Sequence, residues 1–294
     1  MVNREAGGRP AILVVVGTRP EAIKMAPLIR RLREADKFAV LVCSTGQHRE
    51  MIKQVFDLFS IKPDIDLDIM QTNQRLNELA ARVLLGMEQV FAKYRLDRVL
   101  VHGDTSTTAA ATLAAYHHKV PVGHVEAGLR TRDIYSPWPE EINRRVTDVI
   151  ADRLYAPTDS ARQNLLAEGT SDETIIVTGN TVIDALFDTM KGPLSAAEAD
   201  LRARFWYFAN DKKTILVTCH RRESYGPGFE QVCTALRHLA QRPDVQIVFP
   251  IHRNPNVRAA FSILRSEPNI KLIDPMDYLD FVYALSQSYV ILTD

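Results

Sequence analysis

Short apolar runs alternate with stretches of helical spacing along the whole chain, and this alternation limits the fold more than any other feature. AILVVV at 11–16 reads as a buried strand ending in the turn Gly17-Thr18-Arg19. Pro20 then stands where a first helical turn begins, and Ile23, Ala26, Leu28 and Leu32 give that helix an apolar stripe. FAVLVCS, DRVLVHG, VPVGHVE, RLYAP and TIIVTGN repeat the pattern. Helices are expected near 48–59, over 76–94, after Asp104-Thr105 and from about Trp138, the last behind a polar loop over 127–137. Such an order builds a parallel sheet covered by helices. A short helix near 182–190 runs into KGPLSAAEAD, whose Gly-Pro reads as a break. TILVTCH, VQIVFPIH, IKLID and YVILTD follow, with helices near 229–240, 256–265 and 276–287. We therefore expect an α/β protein of two Rossmann-like domains, 1–180 and 181–294. A chain of 294 residues can give each domain its own core.

Charge excludes several partners. Lys plus Arg and Asp plus Glu each total 36, so there is no global attraction to nucleic acid or an anionic membrane. The N-terminus lacks the apolar core of a signal peptide, and no run reaches membrane-helix length. Cys43, Cys219 and Cys233 form no CxxC pair, which fits a reducing compartment; a cytoplasmic location is expected. His117, His118 and His124 have no acidic or Cys companions at metal-site spacing, so neither metal nor cofactor is expected.

Polar residues concentrate at the C-terminal ends of the expected strands, where open α/β sheets bind ligands. GTRPEAIK opens a helix with free backbone N–H groups, and Arg19 and Lys24 add positive charge, although either could be a solvated helix residue. Neither GxGxxG nor a Walker pattern is present. Asp104 in GDTST reads as a helix N-cap or as a catalytic carboxylate. Glu126 in HVEAGLRT needs a partner, for which Arg130 and Arg132 are the plain candidates. At least one of Glu140 and Glu141 belongs to the helix start. His220, Arg221 and Arg222 in CHRRES form a basic cluster suited to an anion, whereas a lone His252 is more often structural. Carboxylates in one domain and a basic cluster in the other suit a nucleoside diphosphate departing from a carbon centre in a cleft between the domains.

GTRPEAIKMAPL, TGQHREM, VLVHGDTSTT, PVGHVEAGLRT, YSPWPEE, TGNTVIDAL, HRRESYG, HRNPNVR and LIDP occur in order from near the start of the chain to near its end. Together they resemble the signature runs of the non-hydrolysing UDP-N-acetylglucosamine 2-epimerases. The resemblance implies a glycosyltransferase-B-like fold, a homodimer, and interconversion of UDP-N-acetylglucosamine and UDP-N-acetylmannosamine by loss and re-addition of UDP. By position it assigns Arg19, Lys24 and His220 to the nucleotide diphosphate or sugar, and Asp104, Glu126 and Glu140 to turnover, with His220 also counted among the catalytic group. Met276 and Phe281 fall to the uracil. Gln47 and His252 match an activating second site, though Asn73 stands where that site has an arginine.

The sequence departs from the family at two places. Cys219 replaces a small residue before the His-Arg-Arg run, and the chain stops at ILTD where the family continues with a diphosphate- and ribose-binding segment. This implies a second domain incomplete at its C-terminal end and little epimerase activity from this polypeptide alone. A UDP-sugar-binding homologue and a hydrolysing epimerase are the alternative readings, ahead of a glycosyltransferase of the same fold.

Overall fold

The computed structural model describes residues 8–47, 49–71, 74–219 and 226–293. The chain divides into two compact units, 1–188 and 189–294. In the first, seven parallel strands run in the order β3-β2-β1-β4-β5-β6-β7. They are β1 (Ala11–Val16), β2 (Ala39–Ser44), β3 (Ile65–Asp66), β4 (Arg98–His102), β5 (Val122–Val125), β6 (Arg153–Ala156) and β7 (Ile175–Val177). Leu13, Val14, Val15 and Val16 are all buried, as continuous apolar strands are when helices cover both faces of a sheet. The connecting helices are α1 (Arg19–Glu34), α2 (Arg49–Leu58), α3 (Leu76–Lys93), α4 (Ser106–His117), α5 (Glu140–Ile150), α6 (Asp159–Ala167) and α7 (Thr181–Thr189).

On α3, Leu79, Val83, Met87 and Val90 are buried at helical spacing. Burying each contributes about 2 kcal/mol by apolar transfer. The small residues of α4, including Ala110, Ala111, Ala114, Ala115 and Thr107, are buried and let the helix lie close to β1, β4 and β5. Asp188 at the end of α7 pairs with Arg30 of α1 at 2.7 Å, so this helix belongs with the first unit.

KGPLSAAEAD is not a break. α7 runs through a π-helical turn at Met190–Leu194 into α8 (Ser195–Arg204), and the wide turn accommodates Pro193. Leu194, Ala197 and Leu201 share a stripe that packs on the second unit's core, so tertiary burial outweighs the local Gly-Pro signal. The second sheet has the order β10-β9-β8-β11, all parallel, with β8 (Lys213–Thr218), β9 (Val245–Pro250), β10 (Ile270–Ile273) and β11 (Val290–Thr293). Its helices are α9 (Pro227–Ala240), α10 (Pro255–Phe261) and α11 (Tyr278–Gln287). Phe229, Cys233 and Leu236 of α9 pack with Phe249 and Phe261 in one cluster, while Leu201, Phe208, Val248 and Tyr283 form another. β11 is an edge strand whose Val290, Ile291 and Leu292 are exposed.

Strand order reverses between β1 and β4 in the first sheet and between β8 and β11 in the second. A crevice opens beyond the strand ends at such a reversal. GTRPEAIK, GDTST and HVEAG all leave the first sheet at or beside that point.

Candidate active site

The turn after β1 is built tightly. A Cβ on Gly17 would run into Thr107 Oγ1 and lie 2.7 Å from Thr45 Oγ1, so this position requires glycine. Glu21, one turn into α1, is buried and accepts from the N–H groups of Gly17 at 2.9 Å and Thr18 at 2.5 Å. It also accepts from Thr105 Oγ1 at 2.6 Å and Thr108 Oγ1 at 3.0 Å, tying the start of α1 to that of α4. Burial pushes the Glu21 carboxyl up, and these four donors oppose that rise.

Thr105, not Asp104, caps α4, its hydroxyl accepting from Thr108 N at 3.1 Å. Asp104 is thereby left to pair with Arg144 of α5, and Asn143 Nδ2 holds the Asp104 carbonyl at 2.9 Å. Arg144 also donates to the Glu126 backbone carbonyl and lies 3.6 Å from Glu126 Oε2. Lys24 pairs directly with Glu126 Oε1, which accepts from Asn180 Nδ2 at 3.0 Å as well. Neither Arg130 nor Arg132 is the partner of Glu126. Arg130 instead reaches Asp148 and Glu168, each at 2.7 Å.

Burial alone would raise the Glu126 carboxyl, but His102, Lys24 and Arg144 outweigh it and hold it down to about 2. His102 is itself pushed down to about 3 by burial and is neutral near pH 7, where Lys24 and Arg144 are the charges that face Glu126. Its Nε2 lies 3.9 Å from Glu126 Oε2, and both ring nitrogens are buried without a hydrogen-bond partner among the described residues.

The two carboxylates that open α5 have separate tasks. Glu141 is buried and accepts from Thr131 N at 3.0 Å and Arg132 N at 3.3 Å, anchoring the preceding loop. Glu140 stands four residues before Arg144, on the same helical face. Its Oε2 is buried and has no hydrogen-bond partner among the described residues. A carboxylate oxygen dried and left unpaired costs free energy that a ligand can recover.

Asp104 and Glu126 are therefore joined through Arg144, and Lys24 is held on Glu126, with Glu140 on the helix face of Arg144. Arg19 is the first residue of α1, partly buried and without an ion-pair partner among the described residues. Gln47, beyond β2, accepts from Thr107 Oγ1 at 3.0 Å. Met276 and Phe281 lie in the second unit, half-buried against the cluster around Tyr283, and His252 is exposed in the turn after β9. His220, Arg221, Arg222 and Asn73 lie outside the described residues. His102, Asn180 and the bridging role of Arg144 were not drawn from sequence. The signal for the last was the spacing Glu140, Arg144, Asp148, an alternating charged stripe on one face of α5.

A family model described as UDP-N-acetylglucosamine 2-epimerase matches residues 30–294. The UDP-N-acetylglucosamine 2-epimerase of Yersinia pestis is 53% identical over 287 residues, covering 96% of this chain and 76% of that protein. The crystal structure of the Neisseria meningitidis enzyme bound to UDP-GlcNAc superposes with a TM-score of 0.89 at 47% identity, covering 97% of this chain and 77% of that one. The Methanocaldococcus jannaschii enzyme in complex with UDP-GlcNAc and UDP gives 0.77 at 34% identity, covering 97% and 78%. Motifs, paired parallel sheets and these likenesses agree: the chain belongs to the non-hydrolysing UDP-N-acetylglucosamine 2-epimerase family.

Proposed function

We propose that this chain interconverts UDP-N-acetylglucosamine and UDP-N-acetylmannosamine by eliminating UDP and adding it back. The observation that carries this reading is the cluster in which Lys24 and Arg144 hold Glu126 ionised beside Asp104, with the unpaired Glu140 oxygen on the Arg144 face. The hydrogen on the sugar's second carbon is not acidic, so UDP must leave as that proton is lost. Breaking the C1–O bond places positive charge on the ring, and an ionised Glu126 suits its stabilisation. A carboxylate held that far down is a poor base. Glu140, with an oxygen free of partners among the described residues, is better fitted to take the proton, leaving 2-acetamidoglucal and UDP. UDP re-adds at C1 as a solvent-derived proton, relayed through Asp104, whose side chain is 31% exposed, reaches the opposite face of C2, and Glu140 returns its proton to solvent.

The first domain thus supplies the carboxylates and the second binds the nucleotide. Lys24 is committed to Glu126, which leaves Arg19 as the first domain's cation for the diphosphate, joined by His220. Met276 and Phe281 are assigned to the uracil, and Gln47 and His252 to an activating second UDP-N-acetylglucosamine. We place the enzyme in the cytoplasm, feeding polysaccharide assembly; no helix of the described residues is long and apolar enough to cross a membrane. Incubated with UDP-N-acetylglucosamine in D₂O, the chain should give both epimers with deuterium at C2 in the NMR spectrum. Free N-acetylmannosamine would instead identify a hydrolysing enzyme, and UDP binding without turnover a binding homologue.

The same reading makes the enzyme a homodimer. Ile142, Val146 and Val149 form an exposed stripe at helical spacing on α5, with Val149 84% exposed, and Leu85, Tyr116 and Trp138 are also exposed. An exposed apolar stripe of this kind fits a second copy of itself. Light scattering should give about twice the 33.1 kDa chain mass. Val149→Asp should return it to the monomer, and an unchanged mass would reject this face as the interface.

A further inference from the structure

His124 of β5 is wholly buried and both its ring nitrogens are engaged. Nδ1 lies 2.6 Å from Asp148 Oδ1, and Nε2 lies 2.7 Å from the Gly103 carbonyl oxygen. A carbonyl only accepts, so Nε2–H donates to Gly103. Asp148 uses its other oxygen to accept from Gly128 N at 3.2 Å and to meet Arg130 Nη2 at 2.7 Å. Arg130 in turn spans to Glu168. One buried side-chain pair therefore grips two turns: Gly103 immediately precedes Asp104, and Gly128 follows Glu126 by two residues. Gly103, Glu126 and Gly128 have φ of 69°, 66° and 83°, all left-handed. That backbone is uphill for Glu126, and it persists only where the surroundings fix it.

We propose that His124 and Asp148 are positioning residues that hold the Asp104 and Glu126 turns in register, so that Arg144 can bridge the two carboxylates. They touch neither carboxylate side chain. The inference rests on the epimerase reading above for its effect on turnover, but not for its effect on the turns themselves.

Two substitutions separate the contacts. His124→Asn keeps a nitrogen near the Nδ1 position and cannot reach Gly103, whereas His124→Gln can still donate to the Gly103 carbonyl. With the full chain, His124→Asn should speed amide hydrogen exchange most at 103–105, the turn whose contact it loses, with a smaller rise at 126–128, and leave the rest of the first unit as in the parent. Its kcat should fall by about 10²-fold with KM within about threefold, since misplacing catalytic groups by about 1 Å costs that much. His124→Gln should recover most of both. Should the Asn variant fail to fold, Asp148→Asn replaces it, with faster exchange again confined to the two turns. Exchange that quickens throughout the unit, or in neither turn, or equal damage from Asn and Gln, overturns the proposal. If the parent does not epimerise, the functional reading falls, while the exchange pattern still decides the positioning role.

Discussion

Glu126→Gln should lower epimerase turnover by about 10³-fold, the scale of losing an ionised group that meets developing charge. Gln keeps the volume and can still accept from Asn180, but it leaves Lys24 without its counter-charge and Arg144 with Asp104 alone. UDP binding should change little, because the loss falls on the transition state. The same substitution should alter acid stability. The Glu126 carboxyl is held at about 2 against an ordinary 4.5, so its contribution is complete above about pH 4.5 and disappears as pH falls toward 2. Chemical denaturation should place the variant about 3 kcal/mol below the parent at pH 7, the cost of breaking a largely buried ion pair. That gap should close between pH 4.5 and 2. Parallel stability curves across that window would mean that Lys24 and Arg144 do not hold Glu126 ionised.

Much of this site was legible because strand ends can be read from apolar runs. Lys24, Asp104 and Glu126 follow β1, β4 and β5, and the strand order then gathers them at one edge. Their partners were hidden for a physical reason. Arg144 comes from a helix that starts 36 residues after Asp104, and nothing local distinguishes it from the neighbouring Arg145, which turns toward Glu168 instead. Local rules made Asp104 a plausible N-cap, yet Thr105 took that role one residue later. Glu126 and Arg132 adopt left-handed backbone that their residue types do not announce. KGPLSAAEAD was misread because Gly-Pro is a strong local signal, whereas Leu194, Ala197 and Leu201 respond to a core assembled from distant strands. His124, read with His117 and His118 as lacking metal-site companions, acquires its task only when Asp148 arrives on α5.

Gly128→Ala should unfold the chain about 10 °C earlier, for two reasons that a control can separate. The residue has φ of 83°, where an alanine costs about 1–2 kcal/mol. A Cβ there would also run into the Ala161 carbonyl oxygen and lie 2.9 Å from Leu165 Cγ, an overpacking worth about 1–3 kcal/mol. Together these give about 4 kcal/mol, at roughly 2–4 °C for each. Gly169 has φ of 87° with nothing within 4 Å of its Cβ position, so Gly169→Ala carries the backbone cost alone. The difference between the variants measures how closely the Glu126 turn is pressed on α6, where Asn164 also donates to the Gly128 carbonyl at 3.0 Å. Relief of the clash by backing the turn away from α6 would carry Gly128 N from Asp148 and Glu126 from Lys24, so Gly128→Ala should also lose turnover. Gly169→Ala should keep it. Equal melting shifts for the two variants would show that the turn has room to move, and that its position is set from the Asp148 side alone.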